Sequence, residues 1–260
     1  MPFPDLVEAP PDAVDVAITW RTASALQDCE QVSDDAVLLS ARGRGMVAVR
    51  RDPAEILGVL PERSTPAAIV HPLATMPLSV LAYWRGDLTL HGGAFLHNGR
   101  AWAVCGPQMA GKSSTLAALG ARGVPILADD LVVISGEAVL AGPRCVDLRP
   151  DAALRFPASR PLGIVAGRER HRLATPPAPA SAPLAGILVL GWGDGAPRLE
   201  RIPLPEHLRI LHEQHYAGWI GPPPPAPLMA ALDRPMWHFA RGRDWEAHTA
   251  ALDELLTVLS

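Results

Sequence analysis

One lysine lies in a loop bounded by glycines. Residues 106–113 read GPQMAGKS, which fits the pattern G-x-x-x-x-G-K-[ST], and Lys112 is the only lysine among 23 basic residues. Glycine tolerates the backbone angles that turn N–H groups toward a phosphate. In this pattern the lysine reaches the β- and γ-phosphates, and the serine hydroxyl reaches Mg²⁺. The pattern predicts that these residues bind a nucleotide: Gly106, Pro107, Gln108, Met109, Ala110, Gly111, Lys112, Ser113 and Ser114.

A pair of carboxylates follows the next apolar stretch. Residues 124–128 are predicted to form a buried strand, and Asp129 and Asp130 follow it directly. Beside a phosphate loop, one such carboxylate can hold Mg²⁺ and the other can accept a proton from an acceptor hydroxyl. The structural alternative is an Asx turn or a helix cap. The residues alone leave open which aspartate is the base and which is the metal ligand.

A β-hairpin is predicted immediately before the loop. Residues 89–97 and 100–105 are strand candidates, and Asn98-Gly99 between them is the preferred pair for a type I′ turn. Pairing His97 with Arg100 places His91 opposite Gly106, at the mouth of the loop. A bulge at Gly92-Gly93 would shift this register by one residue.

His91 is therefore a candidate catalytic residue, together with Lys112, Asp129 and Asp130. A neutral imidazole beside the loop could tune a neighbouring carboxylate or donate to a phosphate oxygen. The alternative for a lone histidine in a strand is a structural role.

Strands and helices alternate around these motifs. Residues 1–85 form a small β-rich N-terminal region, with strands at 15–20, 36–40 and 46–50, a turn at 43–45, a helical stretch opened by Asp52-Pro53, and an apolar helix over 72–85. Residues 86–260 form a second domain. After the loop it contains helices at 113–122, 205–216 and 244–259, strands at 124–128, 131–135, 144–149, 187–192, 198–204 and 236–240, and proline-rich loops at 174–183 and 221–227. The expected fold class is α/β, a mixed sheet with packed helices.

The composition excludes several classes of protein. The 260 residues are 48% hydrophobic and carry a net charge of −4, so the chain can bury a core and is not intrinsically disordered. It has no basic stripe, so nucleic acid is not an expected partner. Cys29, Cys105 and Cys145 are isolated thiols, which fits a reducing compartment. No signal peptide or membrane-spanning run is recognised, and we expect a cytoplasmic protein without a membrane partner.

Three weaker signals have structural explanations that we favour. His207, His212 and His215 share a predicted helix but lack further ligands nearby for zinc. The basic cluster Arg168, Arg170, His171 and Arg172 fits a solvated turn, and the alternative is a flap that binds the acceptor or clamps a phosphate. Trp219, Trp237 and Trp245 fit a core or an interface better than base-stacking platforms.

Taken together, the motifs resemble a known family. The run of Leu90-His91-Gly92, the glycine–lysine loop and Leu127-Ala128-Asp129-Asp130, with its short spacings, resembles the catalytic domain of HPr kinase/phosphorylase and its shorter relatives. These relatives include serine kinases that tailor ribosomal peptides such as lasso peptides. Asp147-Leu148-Arg149 falls where the family has an acidic-x-Arg element. The stretches 184–190 and 235–245 resemble its later core strand and its closing strand and helix.

The resemblance implies a P-loop kinase fold of the HPr-kinase/PEP-carboxykinase-like type, with ATP and Mg²⁺ as cofactors. It implies that Asp129 is the base that activates a serine hydroxyl, with His91 beside it, and that Ser113 and Asp130 lie nearer the metal. It also implies a homo-oligomer. The N-terminal 85 residues do not resemble the N-terminal domain of the full-length enzyme, which favours a shorter relative.

The function expected from the sequence is transfer of the γ-phosphoryl group of ATP to a hydroxyl, most simply a serine of a peptide or small protein. Two other functions remain open. One is a small-molecule kinase, and the other is a non-catalytic nucleotide-binding scaffold or sensor in a peptide-modification system.

Overall fold

The computed structural model describes residues 15–23, 31–40, 45–60, 64–165, 167–194 and 196–259. It is a mixed α/β protein, as the sequence predicts. Cys29 and residues 43–44 of the expected turn lie outside the described residues.

A five-stranded sheet comes first in the chain. Its strands are β1 (Ala17–Thr22), β2 (Gln31–Val32), β3 (Ala36–Ser40), β4 (Met46–Arg50) and β5 (Glu55–Leu60). They lie in the order β1-β5-β4-β3-β2, with β1 parallel to β5 and the other neighbours antiparallel. The three strands expected from the sequence are confirmed. The helical stretch expected from Asp52-Pro53 is wrong, because residues 51–54 make the tight turn that returns the chain into β5.

Apolar helical segments follow this sheet, and the last of them packs on it. They are α1 (Pro66–Ala68), a π-helical turn (Ile69–Leu73) and α2 (Thr75–Trp84). Val80 and Leu81 of α2 pack against buried residues of β3, β4 and β5, which explains the apolar character of this stretch. In the described chain, no single helix is long and apolar enough to cross a membrane. The pair Pro66–Leu73 and Thr75–Trp84, bent by 53°, has the length and composition of a broken span, and this likeness rests on length and composition only.

Two further sheets follow. Their strands are β6 (Leu88–His91), β7 (Gly93–His97), β8 (Arg100–Cys105), β9 (Ile126–Ala128), β10 (Leu131–Ser135), β11 (Ala138–Leu140), β12 (Cys145–Leu148), β13 (Arg160–Val165), β14 (Arg168–Ala174), β15 (Ser181–Trp192), β16 (Arg198–Arg201) and β17 (Met236–Arg241). The main sheet has the order β6-β10-β11-β15-β8-β7-β9, with β17 on β15 and β16 on β17. The small sheet has the order β12-β14-β13. The strand expected at 144–149 therefore exists but belongs to the small sheet.

The helices of this part are α3 (Lys112–Gly120), α4 (Pro150–Ala153), α5 (Leu204–Gln214), α6 (Pro225–Leu232) and α7 (Trp245–Val258). Side chains alternate along β8 between two cores, because successive residues of a strand point to opposite faces. Val104 faces the core that contains α3 and α7. Cys105 faces the core that contains α5 and α6. The main sheet is thus covered by helices on both faces.

The predicted hairpin forms, but its first strand is shorter than expected. Asn98 and Gly99 have φ of 51° and 72°, as a type I′ turn requires, and His97 pairs with Arg100. The strand is interrupted at Gly92, where a Cβ would collide with the backbone carbonyl of Val104.

Beyond that break, β6 leaves the hairpin and pairs with β10, so that His91 lies opposite Leu131. The expected pairing of His91 with Gly106 is therefore wrong. Glycine at position 92 lets the backbone approach β8 closely and bend, and the hairpin register ends there.

The strands β8, β9, β15 and β17 all end at one edge of the main sheet. β15 is parallel to β8 and to β17, and β9 runs in the same direction because both β8 and β9 are antiparallel to β7. In open α/β sheets this carboxyl edge is where ligands bind. β8 lies between β15 on one flank and β7 with β9 on the other, so the chain that leaves β8 has a neighbour on each side.

Candidate active site

The predicted loop connects β8 to α3 at this edge. Gly106 and Gly111 have φ of 138° and 80°, and Met109 has 70°, so the loop uses left-handed backbone at three positions. A Cβ on Gly106 would lie 2.7 Å from the carbonyl oxygen of Leu190, so the space there also requires glycine. The strand–loop–helix context expected of the motif is present.

A buried arginine holds the loop from below. Arg241, at the end of β17, is fully buried and donates to the carbonyl of Ala110 at 2.7 Å and to Thr115 Oγ1 at 3.1 Å. It also donates to the Gly191 carbonyl at 3.0 Å and to His248 Nδ1 at 3.0 Å. Burial, with the neighbouring charge of Arg241, lowers the pKa of His248 to about 4, so this imidazole is neutral and accepts the bond.

Two more side chains hold the loop from its flanks. Trp192, the last residue of β15, donates from Nε1 to the carbonyl of Met109 at 3.0 Å. Gln214, the last residue of α5, accepts from the amide of Gly106 at 3.2 Å. Sequence reasoning missed both residues and Arg241, because none belongs to a motif and each meets the loop only in the folded chain.

Lys112 lies over the loop that contains it. Its ammonium donates to the carbonyls of Gly106 at 2.8 Å and Pro107 at 3.2 Å. Burial lowers its pKa, against the opposing charges of Asp130 and Asp129. An ammonium binds an anion more strongly than it binds a neutral carbonyl. The two carbonyls therefore hold the Lys112 side chain in position, and an anion such as phosphate would be a stronger partner.

Ser113 and Asp129 are in direct contact. The serine hydroxyl donates to Asp129 Oδ1 at 3.0 Å, and the amide of Asp147 donates to Asp129 Oδ2 at 3.1 Å. The aspartate is only 4% exposed. Burial, together with the charge of Asp130, raises the pKa of Asp129 to about 7.

Asp130 has a different environment. It has φ of 65°, which turns its side chain away from that of Asp129 and into the cleft, where 29% of the side chain is exposed. Its Oδ2 lies 3.8 Å from an Arg170 guanidinium nitrogen and 3.6 Å from His71 Nε2. Of the two aspartates, Asp130 is therefore the one that faces solvent and incoming molecules.

A buried network lies behind the pair of aspartates. His71 Nδ1 is 2.9 Å from Asp147 Oδ2, and Arg172 donates to both carboxylate oxygens of Asp147, at 2.9 and 3.0 Å. Burial opposes ionisation of both groups, but their mutual hydrogen bond and charges raise the pKa of His71 and lower that of Asp147. Sequence reasoning did not select His71, and it noted Asp147 only through the family resemblance.

His91 lies at the same cleft although it does not pair with Gly106. It packs edge-on against Tyr216, with ring centres 5.7 Å apart. Burial and the charge of Lys112 lower its pKa, so it is a neutral imidazole near neutral pH.

One cleft of about 440 Å³ joins these groups. The predicted residues that line it are His91, Gln108, Met109, Gly111, Lys112, Ser113, Ser114 and Asp130. The rest of its wall is formed by Asp147, Leu148, Arg149, Asp151, Ala152, Arg168, Glu169, Arg170, Trp192 and Tyr216. Of the other predicted residues, Ala110 and Asp129 are buried behind the wall, and Pro107 lies on a neighbouring surface hollow.

The basic cluster lies in β14 instead of in a turn. Arg168 and Arg170 line the cleft, and Arg172 is buried on Asp147. Two of the three histidines noted in and after α5 have separate backbone partners: His207 bonds to the carbonyls of Ile202 and Leu232, and His215 lies 2.9 Å from the carbonyl of Thr89. Among the described residues, the only group of three or more His, Cys, Asp or Glu side chains close enough to share a metal ion is His71, Cys145 and Asp147, and there Arg172 already donates to the Asp147 carboxylate.

Comparisons with known proteins give little further information. No protein-family model matches the sequence, and no curated protein does. Among solved structures, the chain is similar to the Hpr(Ser) kinase/phosphatase from Coxiella burnetii, at 12% identity and a TM-score of 0.34. That match covers 66% of this chain and 99% of the other. At so low a TM-score, the likeness carries no argument about fold or activity.

Proposed function

We propose that this protein is a P-loop phosphotransferase that uses Mg-ATP to phosphorylate a hydroxyl group, with a serine of a peptide or small protein as the acceptor. The observation that carries this proposal is the bond between Ser113 and Asp129 at 3.0 Å. A loop serine and a strand-end aspartate are the pair that holds Mg²⁺ in P-loop nucleotide hydrolases and kinases. Lys112 precedes that serine directly.

The loop and α3 bind the triphosphate in this proposal. The backbone N–H groups of Gln108, Met109 and Gly111 and the N-terminus of α3 favour anions, because the first amides of a helix lack internal partners. Lys112 exchanges its two backbone carbonyls for phosphate oxygens and balances the charge that develops during transfer.

Ser113 and Asp129 fit a magnesium ion. Both side chains supply oxygen ligands, which Mg²⁺ prefers. Asp129 is buried, and its side-chain partner is the neutral hydroxyl of Ser113, so a bound cation would balance the charge of the ionised carboxylate. When bound with ATP, the ion would neutralise charge on the β- and γ-phosphates.

For the acceptor side, the geometry supports an allocation of the aspartates opposite to the one implied by the family resemblance. Asp129 has both oxygens engaged and no path to an acceptor, whereas Asp130 faces the cleft. Asp130 therefore accepts the proton of the acceptor hydroxyl. As that O–H bond breaks, the oxygen bonds to the γ-phosphorus, the bond to the bridging oxygen breaks, and ADP leaves. His91, neutral and at the same cleft, donates a hydrogen bond to the transferring group.

We further propose that residues 86–260 are the catalytic domain and residues 1–85 a smaller β-rich domain. His71 connects the two through its bond to Asp147. We propose a peptide as the acceptor because the family resemblance supports it. A screen of acceptors distinguishes this proposal from the alternative, a hydroxyl group of a small molecule.

Isothermal titration with ATP in the presence of Mg²⁺ tests this proposal. Lys112→Ala should weaken ATP binding by about 10- to 100-fold, because a charge-assisted contact to phosphate is lost. Arg122→Ala is the matched control, since Arg122 follows the end of α3 that is distant from the loop and bonds there to Asp253 of α7. Equal ATP affinity in all three proteins would contradict the proposed phosphate loop.

A further inference from the structure

Trp192 is an exposed aromatic residue at the proposed nucleotide site. It is the last residue of β15, is 36% exposed and lines the same cleft as Lys112. Small-molecule sites are lined mainly by hydrophobic and aromatic side chains, with a few polar groups that fix the orientation of the ligand.

The ring is held rigidly against the loop. Its N–H bonds to the carbonyl of Met109, and its edge lies so close to Gly111 that a Cβ there would be 3.1 Å from the ring. The guanidinium of Arg241 lies 4.5 Å from the ring centre, and that of the exposed Arg243 lies 5.3 Å from it. An aromatic ring with fixed orientation beside an exposed guanidinium is the usual surface on which nucleic-acid bases stack.

The position of the ring also identifies which end of a nucleotide it meets. Trp192 ends β15, on one flank of β8, and Asp129 follows β9 on the other flank, so the loop lies between them. A transferable γ-phosphate must lie at the flank with the carboxylates. The other end of the nucleotide, its base, then points toward the flank with Trp192.

We infer that Trp192 is the platform on which the nucleobase of ATP stacks, with Arg243 beside it. This inference rests on the proposed function and extends it to the base subsite. Tyr216, the other aromatic residue in the wall of the cleft, packs against His91 on the carboxylate flank and is half-buried.

Two ligands separate the base platform from the phosphate loop. Isothermal titration of the full chain with ATP measures both contributions, and titration with inorganic tripolyphosphate measures the loop alone. Trp192→Leu should bind ATP about tenfold more weakly than Trp192→Phe, because both variants lose the N–H bond to the loop but only Trp192→Leu loses the base–aromatic stack. The two variants should bind tripolyphosphate within about twofold of each other. Trp192→Phe keeps a ring but not the N–H, and should retain ATP affinity close to the wild type.

Trp219→Leu is the matched control, since Trp219 is similarly exposed, at 41%, and lies outside the cleft. It should change neither affinity. The inference is overturned if Trp192→Leu weakens both ligands equally, which would mean that the ring only supports the loop. It is also overturned if Trp192→Leu weakens neither, or if Trp192→Phe loses as much as Trp192→Leu. If the wild type binds neither ligand, the proposed function fails and the platform fails with it.

Discussion

At the scale of residues, the two adjacent aspartates differ in everything except their side-chain chemistry. Asp129 is buried and has hydrogen bonds to both oxygens, whereas Asp130 is partly exposed and faces Arg170 across the cleft. The left-handed backbone at Asp130 produces this difference, because it points consecutive side chains of a strand end in different directions. Sequence reasoning selected both residues, but it could not separate their roles since both are strand-end carboxylates.

Substituting each aspartate separately tests the two roles. Asp130→Asn should keep Mg-ATP affinity within about twofold and slow phosphoryl transfer about 100-fold or more, because only the proton acceptor is lost. Asp129→Asn should instead raise the Mg²⁺ concentration needed for half-maximal rate, since a charged metal ligand becomes neutral. Initial rates measured against Mg²⁺ concentration distinguish them. A shifted Mg²⁺ requirement in Asp130→Asn alone would restore the opposite allocation.

Asp129 also makes stability depend on pH. Its pKa is about 7 in the folded protein. In the unfolded chain it has the ordinary value near 3.9. Between these values the unfolded state has lost the proton and the folded state still holds it, so the free energy of unfolding falls as pH rises.

Asparagine cannot ionise. Its side-chain oxygen can accept from the Asp147 amide while its NH2 group donates to Ser113 Oγ, so Asp129→Asn keeps both contacts and removes this pH dependence. In urea titrations, the free energy of unfolding of the wild type relative to Asp129→Asn should fall by about 1.4 kcal/mol per pH unit from about pH 5 to 7 and level off above pH 7. Parallel curves for the two proteins would show that Asp129 does not titrate there.

At the scale of elements, sequence signals that act over a few residues predicted the secondary structure best. The Asn98-Gly99 turn, the loop and most strands could be predicted, because turn chemistry and apolar patterning act over a few residues. The sequence marked Gly92-Gly93 as a site for a bulge, but the pairing of β6 with β10 beyond it could not be predicted, because strand patterns do not identify their partners. Arg241 could not either, because it contacts Ala110 across 131 positions of sequence.

Gly99→Ala tests the turn. Gly99 has φ of 72° with nothing within 4 Å of its Cβ position, so only backbone strain opposes a side chain. The substitution should lower the free energy of unfolding by about 1 kcal/mol. Gly120→Ala, at the end of α3 with ordinary contacts, should be neutral or slightly stabilising. Chemical denaturation measures both, and an equal effect of the two substitutions would contradict a strained type I′ turn.

At the scale of the whole molecule, the site joins parts of the chain that sequence patterns treat separately. His71 comes from the apolar stretch before residue 85, Asp147 and Arg172 from the small sheet, and Asp129 from the main sheet. The mixed α/β class was predictable from the alternation of strands and helices. The separate small sheet was not, because strand patterns do not identify their partners.

The buried network of His71, Asp147 and Arg172 joins these parts of the chain, so we expect it to contribute to the free energy of unfolding. Arg172→Met removes both bonds to Asp147 and those to the backbone of residues 67 and 71. We expect a loss of about 3 kcal/mol in the free energy of unfolding, because a buried carboxylate loses its cation. Arg160→Met, on the exposed face of β13, should change it by less than about 0.5 kcal/mol. Similar unfolding curves for the two variants would show that the network is not required for folding.

The central claim is that the loop, Asp130 and the cleft together transfer a phosphoryl group. The most direct measurement is incubation of the protein with Mg-ATP and serine-containing peptides, read by mass spectrometry for the gain of a phosphate. We predict phosphorylated peptide with the wild type and with Arg122→Ala, none with Lys112→Ala, and product formation slowed about 100-fold or more with Asp130→Asn. Saturable ATP binding without a phosphorylated product, across peptide and small-molecule hydroxyls, would contradict the claim and indicate a nucleotide-binding sensor instead.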